Sequence, residues 1–349
     1  MPAGRLLLCY LIAFSTSHGT HAQQAITHTE FIYSEAPFPS AHASTIVETK
    51  RGLVTAWFGG TAEGNIDVSI WLSRHDGNTW SKPVEVANGI QPDGKRYPCW
   101  NPVLFQPSSG PLLLFYKVGL NPREWWGLVR ISNDDGHTWS EAMRLPDGIL
   151  GPIRSKPVEL SDRTLLAGSS TEHDGWVAHI ERFTPHEKGW TLGALGSSSQ
   201  WWRSTALNKT ADFAAIQPTI LTHSGTRLQV LCRSRQNVIT EAWSGDSGST
   251  WSQMASTLLP NPSSGIDALR LNDGQFLLVH NATARGRHKL AVSLSDDGRT
   301  WRKVQFLEDA ATGEYSYPAV IQTDDGTIHI TYTWKRKRIK HVIMDPGAL

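Results

Sequence analysis

An eight-residue pattern, Ser-x-Asp-x-Gly-x-Thr-Trp, recurs along the chain and limits its fold more than any other feature. Two copies match the pattern fully, at Ser132–Trp139 and at Ser244–Trp251. A copy at Ser73–Trp80 departs from it only at the third residue, and a copy at Leu294–Trp301 departs only at the first. With a degenerate copy expected at Thr184–Trp190, successive copies lie about 50 to 60 residues apart, which is the length of a four-stranded propeller blade.

The residue types in the pattern suit a tight turn between two strands. The Asp carboxylate can accept backbone N–H bonds, Gly can adopt a positive φ, and Trp can pack between neighbouring sheets. Alternating apolar runs such as Leu112–Tyr116, and the lack of any long stretch with helical periodicity, also favour strands. The chain is therefore predicted to be all-β and to form a six-bladed β-propeller of four-stranded antiparallel blades.

The inner strands can be placed because several of them begin with an X-Pro pair, and Pro is tolerated at the first residue of a strand. They are expected to begin near His42, Asn101, Lys156, Gln217, Asp267 and Tyr317. The last blade has sequence for only three strands before the C-terminus. We expect the N-terminal segment Thr29–Tyr33 to supply its outer strand and so to close the ring, which removes exposed sheet edges.

The N-terminus has the composition of a secretory signal peptide. Arg5 precedes a short apolar run, Leu6–Phe14, and small residues follow it up to Ala22. The run is too short to span a bilayer, so we expect residues 1–22 to be removed and residues 23–349 to form one propeller domain that is secreted or periplasmic. Cys99 and Cys232 remain in that domain, and the sequence leaves open whether they pair.

Charge and motifs argue against several classes of partner. The 33 Lys and Arg residues balance 32 Asp and Glu residues, which leaves no broad positive surface for nucleic acid. No later apolar stretch is long enough to cross a membrane. The His residues do not fall into metal-ligand spacings and no glycine-rich loop precedes a helix, so neither a metal nor a nucleotide cofactor is predicted.

The repeat matches the Asp-box, also called the bacterial neuraminidase repeat, and nearly the whole mature chain resembles the sialidase superfamily. That resemblance implies a six-bladed ring, an acidic oligosaccharide or polysaccharide as partner, and an exo-α-sialidase-like glycoside hydrolase. It also implies catalytic residues. Tyr317 stands where the family has its nucleophile, and Asp67 or Glu63 lies in the first-blade loop that carries the family's acid/base.

The same resemblance assigns residues to the substrate carboxylate, which the family holds with three Arg side chains. Arg233 or Arg235 stands for the fourth-blade Arg, and Arg287 for the fifth-blade Arg. Arg233 and Arg235 lie two apart on one strand, so both point to the same face. Further substrate-binding candidates are expected on this face, opposite the Asp-box turns: Lys156, Gln217, Asn101, Lys117, Glu172 and Trp100.

Two positions depart from the family pattern. His42 replaces the first-blade Arg, and Gln217 replaces the Glu that activates the nucleophile. Gln217 cannot take a proton from Tyr317. Because His42 and Tyr317 lie on blades that become neighbours when the ring closes, they could instead form a base and acid pair that acts on a uronic acid.

Three hypotheses follow from these residues. The first is a retaining exo-glycosidase of sialidase type that uses Tyr317, with Asp67 or Glu63 as acid/base. The second is a polysaccharide lyase or another glycosidase that acts on uronic-acid-linked sugars through His42 and Tyr317. The third is a propeller that binds glycans without turning them over. All three share an acidic glycan as ligand.

Overall fold

Six four-stranded antiparallel sheets make up the protein, in a computed structural model that describes residues 25–185, 190–196 and 199–349. The chain begins with β1 (Ile26–Phe31), and blade 1 follows with β2 (Ser40–Thr49), β3 (Gly52–Gly60), β4 (Ser69–His75) and β5 (Val84–Ala87). Blade 2 consists of β6 (Cys99–Phe105), β7 (Leu112–Val118), β8 (Trp126–Ser132) and β9 (Met143–Arg144). Blade 3 consists of β10 (Val158–Glu159), β11 (Leu165–Thr171), β12 (Val177–Phe183) and β13 (Trp202–Ala206), with a short helix α1 (Leu192–Gly196) before its last strand.

The second half of the ring repeats this plan. Blade 4 contains β14 (Ala215–Thr222), β15 (Leu228–Ser234), β16 (Val238–Ser244) and β17 (Ala255–Pro260). Blade 5 contains β18 (Asp267–Arg270), β19 (Phe276–His280), β20 (Lys289–Ser295) and β21 (Arg302–Asp309). Blade 6 contains β22 (Tyr315–Gln322), β23 (Ile328–Trp334) and β24 (Arg338–Met344). The predicted six-bladed propeller is confirmed.

The N-terminal strand closes the ring. Strand β1 pairs antiparallel with β24 as the outer strand of blade 6, with Thr29 opposite Val342 and Glu30 opposite His341. The strand begins three residues before the predicted segment, at Ile26 rather than Thr29, and its expected role is confirmed. The predicted signal peptide, residues 1–22, lies outside the described residues. No helix in the described ranges is long and apolar enough to cross a membrane.

The apolar core lies in wedges between neighbouring blades. Val54 and Leu72 of blade 1 pack with Leu114 and Tyr116 of blade 2, for example, and all four are almost fully buried. Each wedge excludes water from two sheets at once, so burial of these side chains stabilises the ring as well as the blades. The two cysteines lie in different wedges and are not linked, with Cys99 between blades 1 and 2 and Cys232 between blades 3 and 4.

The Asp-box turns join the third and fourth strands of their blades. In blade 2, Asp134 Oδ1 accepts bonds from the Thr138 backbone N–H and the Ser132 hydroxyl, both at 2.8 Å, and Gly136 adopts a φ of 81°. The two imperfect copies use an Asp one position later than the pattern predicts: Asp76 accepts from Asn78 and Thr79 N–H, and Asp297 accepts from Arg299 and Thr300 N–H. The degenerate copy overlaps residues 186–189, which lie outside the described ranges.

The opposite end of the inner strands carries a repeated bulge. Asn101, Gln217 and Tyr317 each precede a Pro, each has a positive φ (36°, 58° and 54°), and pairing shifts register there. Ala43 has the same feature in blade 1, with a φ of 57°. Three of the X-Pro pairs therefore mark bulges inside the strands, whereas Lys156-Pro157 directly precedes β10. A non-Gly residue in this conformation is strained, and such bulges redirect side chains, often beside functional sites.

Candidate functional site

Tyr317 is surrounded by guanidinium groups from three other blades. Its Oη accepts a hydrogen bond from Arg233 Nη1 at 2.7 Å. The guanidinium carbons of Arg154, Arg233 and Arg287 lie 5.4, 5.5 and 5.6 Å from the centre of the Tyr317 ring. This arrangement concentrates positive charge around one phenol, and guanidinium groups bind carboxylates through paired hydrogen bonds. The cluster can therefore attract an anion and stabilise negative charge on Oη.

Arg154 is placed by the sequence among the polar residues at this end of blade 3 but is assigned no role. It precedes β10, is only 2% exposed, and donates from Nη2 to the carbonyl of Pro318, the residue after Tyr317. Its Nε and Nη1 are buried without a partner in the described part of the chain. Burial lowers the pKa of Arg154 below its ordinary value. Its place two residues before Lys156, at the same end of an inner strand as Tyr317, was the sequence signal available.

Glu314 links two arginines that approach the site from blades 5 and 6. Its Oε1 accepts bonds from Arg287 Nη1 at 3.1 Å and from Arg336 Nε at 2.7 Å. Burial acts to raise the pKa of Glu314, but Arg336 and Arg287 outweigh burial and hold it below the ordinary value. Arg336 also pairs with Glu63 of the first-blade loop. Glu63 is therefore occupied by an ion pair, which makes it the weaker of the two acid/base candidates.

Asp67, the other candidate, keeps one carboxylate oxygen without a partner. Its Oδ2 accepts bonds from the Thr61 backbone N–H at 2.8 Å and from the Thr61 hydroxyl at 2.6 Å. Oδ1 is buried and has no partner in the described ranges. The Thr61 hydroxyl bond is the largest cause that holds the pKa of Asp67 below its ordinary value. Oδ1 is thus the oxygen without a bonding partner among the described residues, and it has almost no exposed surface, whereas the Asp67 side chain as a whole is partly exposed.

His42 lies directly against Tyr317. The centres of the two rings are 4.1 Å apart, and His42 Nδ1 is 2.9 Å from the Thr333 hydroxyl. The side chain is 1% exposed. Burial first, and then the charges of four surrounding arginines, hold the pKa of His42 well below its ordinary value. The imidazole is therefore neutral near pH 7.

Comparison with known proteins places this geometry in a family. Residues 51–330 match the family model described as a BNR repeat-like domain. The chain belongs to the BNR repeat-like domain family. It is 23% identical over 322 residues to an exo-alpha-sialidase of Aspergillus fumigatus, a match that covers 85% of this chain and 61% of that protein.

Solved structures share the fold at lower identity. A protein of unknown function from Dyadobacter fermentans superimposes with a TM-score of 0.73 at 17% identity, covering 92% of this chain and 98% of that one. The NanB sialidase of Streptococcus pneumoniae gives 0.70 at 12% identity, covering 92% and 71%. The leech intramolecular trans-sialidase gives 0.71 at 13% identity, covering 93% and 71%. This BNR repeat-like protein is a divergent propeller of the sialidase superfamily.

The BNR repeat-like protein also carries an aromatic platform that the sequence did not indicate. The guanidinium carbons of Arg233 and Arg235 lie 4.9 and 4.5 Å from the ring of Trp176, in the β11–β12 loop. Trp176 Nε1 donates to Glu172 Oε2 at 2.9 Å. Glu172 thus orients the platform. Arg233 and Arg235 were predicted as alternatives for the fourth-blade Arg, and their surroundings differ: Arg235 is exposed and Arg233 is buried.

Two predicted substrate-binding lysines make hydrogen bonds within the protein. Lys156 Nζ donates to Asp267 Oδ2 at 3.0 Å, and Asp267 also accepts from the Thr219 hydroxyl and Val320 N–H. This network ties the inner strands of blades 3 to 6 together around the axis. Lys117 is fully buried and donates to the Pro152 carbonyl, and burial lowers the pKa of Lys117 to about 7. Lys117 is therefore inaccessible to a ligand, whereas the Lys156 side chain keeps 26% of its surface exposed.

The other predicted residues lie close to the bulged ends of the inner strands. Trp100 is buried, donates from Nε1 to the Gly119 carbonyl at 2.9 Å, and packs edge-on against Phe58. Asn101 and Gln217 occupy bulge positions equivalent to that of Tyr317. Gln217 Oε1 is buried without a partner in the described residues. No group of three or more His, Cys, Asp or Glu side chains in those residues is placed to hold a metal ion.

Proposed function

We propose that this BNR repeat-like protein is a sialidase-type exo-glycoside hydrolase that releases a terminal acidic sugar. The observation that carries the proposal is the 2.7 Å bond from Arg233 Nη1 to Tyr317 Oη within a group of three guanidiniums. A phenol in that setting can act as a nucleophile, because the cations stabilise the negative charge on the attacking oxygen.

Arg233 and Arg287 are the residues suited to hold the sugar carboxylate. Both side chains donate to the Ser263 carbonyl, at 3.2 and 3.4 Å, so they meet at one point of the site. Glu314 orients Arg287 through its 3.1 Å contact. A carboxylate bound by two guanidiniums would hold the sugar ring in a fixed orientation relative to Tyr317, as attack on the anomeric carbon requires.

The chemistry can be written with named atoms. Tyr317 loses its proton to water, and Oη forms a bond to the anomeric carbon while the glycosidic C–O bond breaks. Asp67, whose side chain is partly exposed, gives a proton to the departing oxygen. Water then attacks the anomeric carbon, Asp67 takes the proton of that water, the bond to Oη breaks, and the Tyr317 phenolate regains a proton from water. The negative charge of a bound sugar carboxylate would raise the pKa of Asp67, which favours the acid form that the first step needs.

The fungal relative supports a sialoside as the first substrate to test. That protein is described as an exo-alpha-sialidase, and this chain spans 61% of its length. Gln217 stands where the family has the Glu that accepts the proton of the nucleophile. In this chain the guanidinium groups must therefore activate Tyr317 by stabilising negative charge on its Oη. The predicted location outside the cytoplasm would bring the protein into contact with extracellular glycans.

A uronate lyase is the second candidate, and the contact between His42 and Tyr317 favours it. In β-elimination a base removes the proton beside the carboxylate, arginines neutralise that carboxylate, and an acid protonates the leaving oxygen. The ring centres of neutral His42 and Tyr317 lie 4.1 Å apart. His42 would be the base, Tyr317 the acid, and the surrounding arginines the cations that neutralise the carboxylate. The product would carry a carbon–carbon double bond that absorbs ultraviolet light.

The two reactions can be separated with two assays on the same preparation. One follows release of a fluorophore from an α-sialoside, and the other follows ultraviolet absorbance during incubation with uronic-acid polysaccharides. The proposal expects sialoside turnover that Tyr317→Phe abolishes. Full sialoside turnover by Tyr317→Phe, or activity only in the ultraviolet assay, would contradict it. Glycan binding without turnover in either assay would instead support a non-catalytic propeller.

A further inference from the structure

The hydrogen bonds around Thr333 determine which nitrogen of His42 carries the proton. Thr333 Oγ1 accepts a bond from the Ala43 backbone N–H at 3.1 Å. Its second contact is with His42 Nδ1 at 2.9 Å. A hydroxyl has one proton to donate, and within the described residues this proton has only His42 Nδ1 as a partner. If the hydroxyl donates to Nδ1, that nitrogen is an acceptor and the proton of the neutral ring is on Nε2.

The alternative tautomer satisfies fewer groups. With the proton on Nδ1, the Thr333 hydroxyl would accept two bonds and its own buried proton would have no acceptor. Nε2 has no hydrogen-bond partner among the described residues. The Nε2–H form therefore leaves one buried group unpaired, Nε2–H, whereas the Nδ1–H form leaves two, the Thr333 proton and the lone pair of Nε2. Each buried polar group without a partner costs its desolvation, so the form with fewer such groups is favoured. The Thr333 contact therefore selects the Nε2–H tautomer.

His42 is also enclosed by the site. Arg154, Arg233, Arg287 and Arg336 act on it from blades 3, 4, 5 and 6, and Tyr317 covers its ring. Its Nε2 has almost no exposed surface. A general base must come within hydrogen-bond reach of the proton that it removes. Here one nitrogen already accepts a proton from Thr333, and the other carries its own proton and is covered.

We propose that His42 is a positioning residue, fixed by Thr333 as the neutral Nε2–H tautomer, that supports one face of the Tyr317 ring and transfers no proton. This inference rests on the proposed function, in which Tyr317 is the nucleophile. It also removes from the uronate-lyase alternative the base that it requires. The ring of His42 then serves by its shape and its lack of charge, because an imidazolium there would add a fifth cation to the four arginines.

The tautomer can be measured without any substrate. In protein labelled with ¹⁵N-histidine, long-range ¹H–¹⁵N spectra distinguish a ring protonated at Nε2 from one protonated at Nδ1 and from imidazolium. The His42 signals are those that disappear in His42→Phe. We expect the Nε2–H form at pH 7, its retention in Thr333→Ser, and a loss of that single form in Thr333→Val. An Nδ1–H ring or an imidazolium in the unmodified protein would overturn the proposal, whatever the substrate proves to be.

Kinetics separate a positioning role from proton transfer. His42→Phe keeps an aromatic ring and has no base, whereas His42→Ala removes the ring. We expect kcat of His42→Phe to stay within about tenfold of the unmodified enzyme and kcat of His42→Ala to fall about 100-fold, the usual cost of a misplaced reacting group. Equal losses of about 1,000-fold in both variants would indicate a base and contradict the proposal. Thermal unfolding checks that each variant folds. If a variant does not fold, the ¹H–¹⁵N spectra of the unmodified protein still test the tautomer of His42.

Discussion

Replacing Arg233 with Met removes the donor that contacts the proposed nucleophile and leaves an apolar side chain of similar length. Arg233 donates to Tyr317 Oη at 2.7 Å and to the Ser263 carbonyl at 3.2 Å, and it is 7% exposed. The first of these bonds acts on the oxygen that becomes charged during attack. Arg233→Met should therefore weaken transition-state stabilisation more than it weakens folding.

The size of the effect follows from that single bond. Loss of one preorganised donor to a developing oxyanion costs about 2.7 to 4 kcal/mol, which corresponds to a fall in kcat of about 100- to 1,000-fold. Because the same side chain is proposed to hold the sugar carboxylate, KM should rise as well. The assay is steady-state hydrolysis of a fluorogenic α-sialoside, with kcat and KM determined separately and with thermal unfolding as a check on the fold.

Arg235→Met is the matched control. Arg235 lies two residues along the chain and packs on the same Trp176 ring at 4.5 Å, but it is exposed, and no contact with Tyr317 is observed for it. This variant should change KM more than kcat. If Arg233→Met kept kcat within about threefold of the unmodified enzyme, or if both variants lowered kcat equally, the assignment of Arg233 to Oη would be wrong.

Three further substitutions test other parts of the structure. An added Cβ at Gly265 would lie 3.2 Å from Tyr317 Cγ and 3.3 Å from Arg154 Nε, so Gly265→Ala should shift the Tyr317 ring and lower kcat about tenfold or more. Gly245→Ala, where a Cβ would point into open space, is the control and should leave kcat unchanged. Equal activities of the two variants would contradict this. Asp246→Ala removes four bonds within the blade 4 Asp-box turn and should lower the thermal midpoint without changing kcat/KM. An unchanged midpoint would refute the turn's role. Burial lowers the pKa of His280 from 6.5 to about 4, so between these pH values the unfolded state binds more protons than the folded state. The free energy of unfolding should therefore fall by up to about 1.4 kcal/mol per pH unit on acidification. Denaturant titrations at pH 7 and pH 5 should show a smaller fall for His280→Gln than for the unmodified protein, and an identical fall would refute the lowered pKa of His280.

The ring could be predicted from the sequence because its determinants are local and repeated. Each Asp-box turn is held by bonds within a few residues, as at Asp134 and Thr138, so a short pattern marks one blade. The blade count and the closure by β1 then follow from spacing. Two copies nevertheless use Asp76 and Asp297 in place of the residues that the pattern specifies, because a neighbouring carboxylate reaches the same N–H groups.

The site could be predicted only in part because its contacts cross between blades. Tyr317, Arg233 and Arg287 were found through resemblance, and the structure brings them together. The position of Arg154 at this end of blade 3 can be predicted, but its contact with Tyr317 cannot, because that contact depends on the curvature of the ring. The amine of Lys156 is engaged by Asp267 on the next blade but one, and an ion pair between such distant residues carries no sequence signal.

A covalent bond between the sugar and Tyr317 Oη distinguishes the proposed hydrolysis from the alternatives, and a trapping experiment detects this bond. A fluorinated sialoside that forms a slowly hydrolysed glycosyl–enzyme bond would be incubated with the protein, and tryptic peptides would be analysed by mass spectrometry. We expect a sugar adduct on the peptide Val304–Lys335, assigned to Tyr317 by fragmentation and absent from Tyr317→Phe. An adduct on another residue, or turnover of the α-sialoside without any adduct under these conditions, would contradict the proposed bond to Tyr317.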